Sequence, residues 1–430
     1  MKALLTSQIL RTKYRRGDKD FVRQRLLTLP VVIILILKGH KMSFQNILNK
    51  VFEALGLVEK VPTASAYCQA REKLKPEVFV ELNRQVVRDY MELSRQDGTL
   101  KLWNGYRLLG VDGTYLNLPD TEETRAEYSV QTNQFAGSDQ VQALMSVMYD
   151  LLNEVGISAG LGKRQGENNF LIQPHLSETE WLDLLVLDRG YANYLTMALI
   201  YKYQRDFVIR FPSKSLREVN AFWTASDTDR VVTVVCPPKA VAEVRELGLP
   251  ETITFRLVKV ELPDGKLEVL ATSLLDAVTF PPPALKQVYG WRWNEETYFD
   301  RIKNIFEIER LSSTKLQAIQ QDVYGVLFLA TLEGILVQPA QATLSATSQD
   351  RNTRLQPKVN RAVSYVALVD HVVILLADPR STPAQTLVKL QHLFQTNPTR
   401  HREGRQFKRN KERRYPHKLK VEKYLKRIIS

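Results

Sequence analysis

The chain has 430 residues, 44% hydrophobic and 25% charged, and its 60 Lys and Arg against 47 Asp and Glu leave a net charge of +13. That composition excludes a disordered chain and a single core; it points to two or three folded units and a polyanionic partner, nucleic acid before membrane. Two distant cysteines, Cys68 and Cys236, and six scattered histidines exclude a disulfide framework and a Cys/His zinc site, so any metal must be held by carboxylates.

In chain order, LLTLPVVIILIL over Leu26–Leu37 is shorter than the roughly 20 residues a bilayer span needs, and no small-residue cleavage site follows it. It reads as a buried segment of an N-terminal helical unit. Phe44, Ile47, Leu48, Val51 and Phe52 repeat with helical spacing. Thr63 or Ser65 can then cap a helix that presents Gln69, Arg71 and Lys73, a pattern that suits DNA docking and equally any small bundle. From Tyr106 the character changes. YRLLGVDGTYLNLP reads as a strand, and Val141–Ile157 as two strands joined near Asn153. WLDLLVLDRGYANYLTMALIYKYQRDFVIRF reads as a βαβ unit.

Between Pro212 and Pro283 strands dominate, with a hairpin marked by Pro263, Asp264 and Gly265. Beyond that the chain is helical to about Phe394 and ends in a basic tail interleaved with Phe407, Tyr415 and Tyr424, suited to phosphate neutralisation. GLGKRQG, Gly160–Gly166, fits neither glycine-rich phosphate-loop pattern. The expected organisation is a helical region over 1–100 with a DNA-binding role, a first core segment over 101–211, a β insertion over 212–283, a core helix over 284–335, and a C-terminal helical region with the basic tail over 336–430.

Chemistry concentrates in three carboxylates. Asp112 sits in the apolar strand LLGVDGT and Asp188 ends another, LLVLDRG, where α/β sheets gather functional groups. Glu296 lies in YGWRWNEETYFDRIK, Tyr289–Lys303. At about 100° per residue, Tyr289, Arg292, Trp293, Glu296 and Lys303 share one stripe, too charged for core packing. If the three carboxylates converge, they make an all-oxygen site for Mg²⁺ or Mn²⁺. Spacing alone leaves Asp120, Asp150, Asp300 and Glu307 as rivals.

Tyr289, Arg292, Glu296 and Lys303 also match the Y-x2-R-x3-E-x6-K signature of the IS4 family of insertion-sequence transposases, in register with Asp112 in VDGT and Asp188 in LDRGY, and the chain resembles that family over most of its length. The resemblance implies an α/β fold with an RNase H-like core and a β-rich insertion, flanked by helical regions. It implies that Asp112, Asp188 and Glu296 are catalytic and hold two Mg²⁺ ions, with Mn²⁺ as a substitute. It further implies that Tyr289, Arg292 and Lys303 bind DNA phosphates, and that Trp293, or Trp223, holds a flipped base. The expected function is cut-and-paste transposition at terminal inverted repeats. The implied partners are repeat and target DNA and a second copy of the chain, with no membrane, in a prokaryotic cytoplasm. The rivals are a catalytically silent, transposase-derived DNA-binding protein and a stand-alone nuclease on the same core.

Overall fold

The structure, a computed structural model of the chain, describes residues 1–23, 25–39, 42–131, 139–163, 174–262, 265–350, 355–377 and 382–402. The end of GLGKRQG, the turn residues Pro263 and Asp264 and the basic tail beyond Arg402 lie outside the described residues. The N-terminal elements are α1 (Lys2–Thr6), α2 (Gln8–Tyr14), α3 (Leu29–Lys38), α4 (Phe44–Ala54), α5 (Ala64–Arg71) and α6 (Val78–Gln96). Then come β1 (Arg107–Leu118), α7 (Glu122–Glu127), β2 (Ser129–Gln131), β3 (Gln140–Asp150), β4 (Val155–Gly162), β5 (Asp183–Leu187), α8 (Tyr194–Lys202) and β6 (Asp206–Phe211). They are followed by α9 (Arg217–Thr224), β7 (Asp229–Val235), α10 (Val241–Glu246), β8 (Thr252–Glu261), β9 (Leu267–Thr272), α11 (Pro282–Trp291) and α12 (Trp293–Asn304). Last are α13 (Leu316–Leu336), α14 (Gln338–Asp350), β10 (Leu355–Val359), α15 (Arg361–Leu376), α16 (Pro383–Thr396) and β11 (Pro398–Arg402).

The chain divides into two units, one of residues 1–92, 116–143 and 300–430, the other of 93–115 and 144–299. The first is helical. Its centre is α3, whose run Val32–Leu37 is fully buried and packs on α13 and α15. That is the expected fate of an apolar stretch too short for a bilayer. Thr63 caps α5 by accepting from the Ala66 N–H at 3.2 Å.

Arg71, which the sequence reads as presented on this helix, is instead 4% exposed. It donates to Gln321 Oε1 at 2.6 Å, to the Ala318 carbonyl at 2.7 Å and to Asp322 Oδ1 at 2.8 Å. The reason lies in α13, which carries the buried Gln321 and Asp322 and needs a cation opposite them. The run Leu316–Thr347 is long and apolar enough to cross a membrane by length and composition. Asp322 and Glu333 within it nevertheless find Arg71 and Arg361 in the same unit, as suits a core helix. The pairing of β10 with β11 was not evident from the sequence.

The second unit is built on a sheet in the order β4–β3–β1–β5–β6–β9–β8–β7. The strands β1, β5 and β6 are parallel, and β5–α8–β6 is the expected βαβ unit. Every residue of β5, DLLVL, is buried, which is why it reads as a continuous apolar run. The Asn104–Gly105 pair adopts φ of 46° and 84°, and Trp103 and Tyr106 exchange two 2.8 Å backbone hydrogen bonds across it, a tight turn that starts β1. The β insertion does not stand apart. Its last strand, β9, pairs antiparallel with β6 from Val208↔Thr272 to Phe211↔Val269, so the insertion extends the core sheet.

Across β3 and β4, His175 is fully buried between the hydroxyls of Ser146, 2.9 Å from Nε2, and Ser158, 2.6 Å from Nδ1. Burial lowers its pKa to about 3. Below the ordinary value near 6.5 the unfolded chain therefore binds a proton that the folded one refuses. Stability from this group falls as pH drops from about 6.5 toward 3, by at most about 1.4 kcal/mol per unit. We predict that His175→Gln flattens this acid slope in urea titrations at pH 7.5, 6 and 5; equal slopes would contradict the assignment. We also predict that Arg71→Ala, which strands Asp322 in the core, costs about 3–5 kcal/mol in the same measurement.

Candidate active site

The β1–β5 register ends at Val111↔Leu187 and the β5–β6 register at Leu187↔Ile209. One step further along each strand stand Asp112, Asp188 and Arg210. They form one row across three neighbouring parallel strands, which run about 4.8 Å apart. Two carboxylates so placed repel one another unless a cation lies against them.

Two cations do. Arg210 lies against Asp188, its Nε donating to Oδ1 at 2.9 Å and its Nη2 at 2.7 Å from the same oxygen. Its remaining nitrogen, Nη1, donates to Glu268 Oε1 on β9 at 2.7 Å. Arg292 is 4% exposed. Its Nη2 donates to Glu296 Oε1 at 3.1 Å and its Nη1 stands 3.6 Å from Asp112 Oδ2. Its charge also acts on Asp188. Asp112 and Glu296 thus share one guanidinium, while Asp188, on the neighbouring strand, is held by Arg210.

Tyr289–Lys303 is not the single helix that its stripe assumed. The helix breaks at Arg292, where the Arg292 N–H bonds the Tyr289 carbonyl at 3.2 Å and the Glu295 N–H bonds the Arg292 carbonyl at 3.0 Å. These i→i+3 closures tighten the turn, while Arg292 itself keeps a helical backbone at φ −53° and ψ −29°. Tyr289 therefore arrives from α11 and Glu296 from α12. The Tyr289 hydroxyl donates to Asp188 Oδ1 at 3.0 Å, so it is committed to a carboxylate. Trp293 is 54% exposed, with the Arg292 guanidinium 5.8 Å from its ring centroid. Trp223 lies on α9 with its Nε1 buried and without a hydrogen-bond partner. Lys303 belongs to the helical unit, where burial lowers its ammonium pKa against the opposing pull of Glu309.

The rival carboxylates have other partners. Asp120 pairs with Arg125 at 2.5 Å on the surface. Asp150 accepts the N–H groups of Leu152 and Asn153 in the turn after β3. Asp300 accepts from Asn304, and Glu307 pairs with Arg310.

The two aspartates are poised differently. Burial raises the pKa of Asp112, and the charges of Asp188 and Glu296 add to that against the Gly113 N–H and Arg292. Burial also presses Asp188 upward, but the Arg189 N–H, Arg210, Arg292 and Tyr289 outweigh it and hold it below the ordinary value. Near Asp112, Glu295 is fully buried, and among the described residues neither of its oxygens has a well-formed hydrogen bond, although the Asp112 N–H acts on it. Burial first, then the Asp112 charge, push its pKa well up. A Cβ at Gly110 would stand 2.5 Å from Glu295 Oε2 and 2.9 Å from Leu151 Cδ2, so only glycine admits this side chain.

Sequence reading missed Arg210, Glu268 and Glu295. Arg210 had a signal, a charge near the end of the apolar strand DFVIRF, the same feature that singles out Asp112 and Asp188. Glu295 had none, since only burial separates it from its neighbour Glu296.

The donor set, three carboxylates and no histidine or cysteine, fits a hard divalent cation. As the side chains stand, no three His, Cys, Asp or Glu among the described residues form a closed metal cage; the Arg292 guanidinium lies between Asp112 and Glu296. Residues 103–332, more than half of the chain, match the family described as "Transposase DDE domain". This chain is a DDE transposase.

Over 319 residues it is 25% identical to the transposase InsG for insertion sequence element IS4 of Escherichia coli (strain K12), covering 72% of this chain and 70% of that one. With the signature residues in place, the transposase belongs to the IS4 family. Its backbone also has a weak likeness to the piggyBac transposase in a synaptic complex with hairpin DNA. The TM-score is 0.40 at 10% identity, over 85% of this chain and 74% of that one. As a member of the DDE transposase family the chain acts on DNA, its mixed α/β sheet fits an RNase H-like core, and its family works with divalent metal ions. We predict that Gly110→Ala lowers the transposase's unfolding free energy by about 1–3 kcal/mol through overpacking; an unchanged denaturation midpoint would show that Glu295 is not held against this glycine.

Proposed function

We propose that the transposase excises an insertion sequence at its terminal inverted repeats and joins the freed ends to target DNA. The observation that carries the reading is the side-by-side placement of Asp112 and Asp188 on paired parallel strands of one unit, with Glu296 joined to Asp112 through Arg292. Those three carboxylates would hold Mg²⁺, with Mn²⁺ able to substitute. A bound pair of such ions would supply Lewis acidity to the scissile phosphate and an activated water or DNA 3′-hydroxyl.

The protein's own groups do the rest. Arg292 relieves the repulsion among the carboxylates and offers a guanidinium to a phosphate that enters the site. Trp293, half open to solvent, provides a face on which a displaced base stacks, worth roughly 1–3 kcal/mol. Apart from the three site carboxylates, a groove of about 860 Å³ in the N-terminal region is lined by the cations Lys19, Arg23, Arg25 and Lys73 and also by Asp18 and Asp20. These cations face no carboxylate within ion-pair distance among the described residues. The groove and the basic tail suit sequence-independent contact with DNA backbone. Pairing two ends requires two copies of the chain, and the compartment is the prokaryotic cytoplasm.

The test uses purified protein and duplex DNA carrying the element's ends, in Mg²⁺. We predict that wild type cuts the end and joins its 3′-hydroxyl to a second duplex. Asp112→Asn, Asp188→Asn and Glu296→Gln should each lose roughly a thousandfold or more of the cleavage rate while still binding the duplex. Three variants that cut like wild type would remove the site assignment. Cutting without joining would identify a nuclease, and binding without cutting by wild type a silent descendant.

A further inference from the structure

The two aspartates are held in the same manner. Each has one oxygen engaged by fixed donors of its own strand neighbourhood. Asp112 Oδ1 accepts the Gly113 N–H at 2.8 Å, while Oδ2 faces Arg292. For Asp188 the asymmetry is stronger. Arg210 Nε, Arg210 Nη2 and the Tyr289 hydroxyl all converge on Oδ1, at 2.9, 2.7 and 3.0 Å. Among the described residues both side-chain hydrogen bonds to Asp188 fall on Oδ1, and the Arg189 N–H also acts on the carboxylate.

Two hydrogen bonds and a further ion-pair contact on one oxygen are more than an ion pair needs. A single bidentate fork would place one guanidinium nitrogen on each oxygen. Here the third nitrogen, Nη1, is drawn away to Glu268 on β9. The other oxygen of Glu268, Oε2, is buried with no hydrogen-bond partner, so Glu268 is held in place for Arg210 alone. The Tyr289 ring closes the arrangement, with the Arg210 guanidinium 5.6 Å from its centroid. The result is a fixed carboxylate plane with a preferred open side.

We propose that Arg210, steadied by Glu268 and backed by Tyr289, is a positioning residue that fixes Asp188 by Oδ1 and keeps Oδ2 as the oxygen presented to the divalent cation. This rests on the carboxylate site proposed above and changes the role of Tyr289, which the signature alone assigns to a DNA phosphate. It also gives the β insertion a task in the active site, because Glu268 belongs to the insertion and Arg210 to the core sheet. Outer groups that orient a metal-binding carboxylate commonly change cation affinity by 10–100-fold when removed.

The experiment measures two affinities on the full chain. Mn²⁺ binding is followed by calorimetry, and binding of a short fluorescein-labelled duplex by anisotropy in EDTA. Tyr289→Phe and Glu268→Gln, both near-isosteric, are expected to weaken Mn²⁺ binding about tenfold with duplex affinity unchanged. Arg210→Gln should do the same, and Arg210→Lys should recover part of the loss. If these variants lose duplex affinity in EDTA while Mn²⁺ binding stays as in wild type, the groups are phosphate contacts and the proposal is overturned. It is overturned equally if neither affinity moves. Asp188→Asn separates the two layers of the argument. If it weakens Mn²⁺ binding and the other variants do not, the positioning role alone falls; if it too leaves Mn²⁺ binding unchanged, the carboxylate site itself falls.

Discussion

Like charges placed side by side in a half-buried row must be compensated, and the catalytic unit is arranged around that requirement. Parallel pairing of β1 with β5 and of β5 with β6 puts Asp112, Asp188 and Arg210 at one level. The break between α11 and α12 then delivers Arg292 to Asp112 and Glu296, and Tyr289 to Asp188. Tyr289 reaches Asp188 from α11, and Arg292, between the two helices, joins Asp112 to Glu296 on α12. Gly110, one strand position before Val111, admits the buried Glu295, which lets α12 approach the sheet closely.

The helical unit solves the same problem away from any chemistry. Its longest helix, α13, carries Asp322 and Glu333 inside the core, answered by Arg71 and Arg361. Breaking such a pair costs far more than making it yields, because the surviving charge remains buried. Such pairs fix which side of α13 meets the N-terminal helices and which meets α15. In the sheet unit, the insertion joins the scheme by supplying Glu268 to Arg210, so an excursion of the chain between two core elements is structurally continuous with the site.

Much of this was legible from residue order. Apolar runs broken by a single aspartate located two strand ends, since an ionised side chain in such a run needs a reason to be there. Fixed gaps among Tyr289, Arg292, Glu296 and Lys303 located the helix that faces them. Continuous burial of DLLVL and the βαβ rhythm gave the parallel strands. What could not be read was long-range pairing. Arg71 looked like a surface cation on a capped helix because its partners lie some 250 positions away on α13. Helical periodicity placed Tyr289, Arg292 and Glu296 on one face, and it did not show the tightened turn at Arg292 that separates α11 from α12. Glu268 lies in a hairpin strand that alternates like many others, and its meaning appears only when β9 is laid against β6.

The central claim is that the Asp112–Asp188 row, completed by Glu296, holds the divalent cation that drives cleavage. A change of ligand atom tests it most directly. In the Asp188→Cys variant a soft sulfur replaces a hard oxygen, which favours Mn²⁺ over Mg²⁺ at that position. The account predicts end cleavage abolished in Mg²⁺ and restored in substantial part by Mn²⁺, whereas Asp188→Ala stays inactive in both. Equal cleavage by the cysteine variant in Mg²⁺ and Mn²⁺ at the wild-type rate would contradict it.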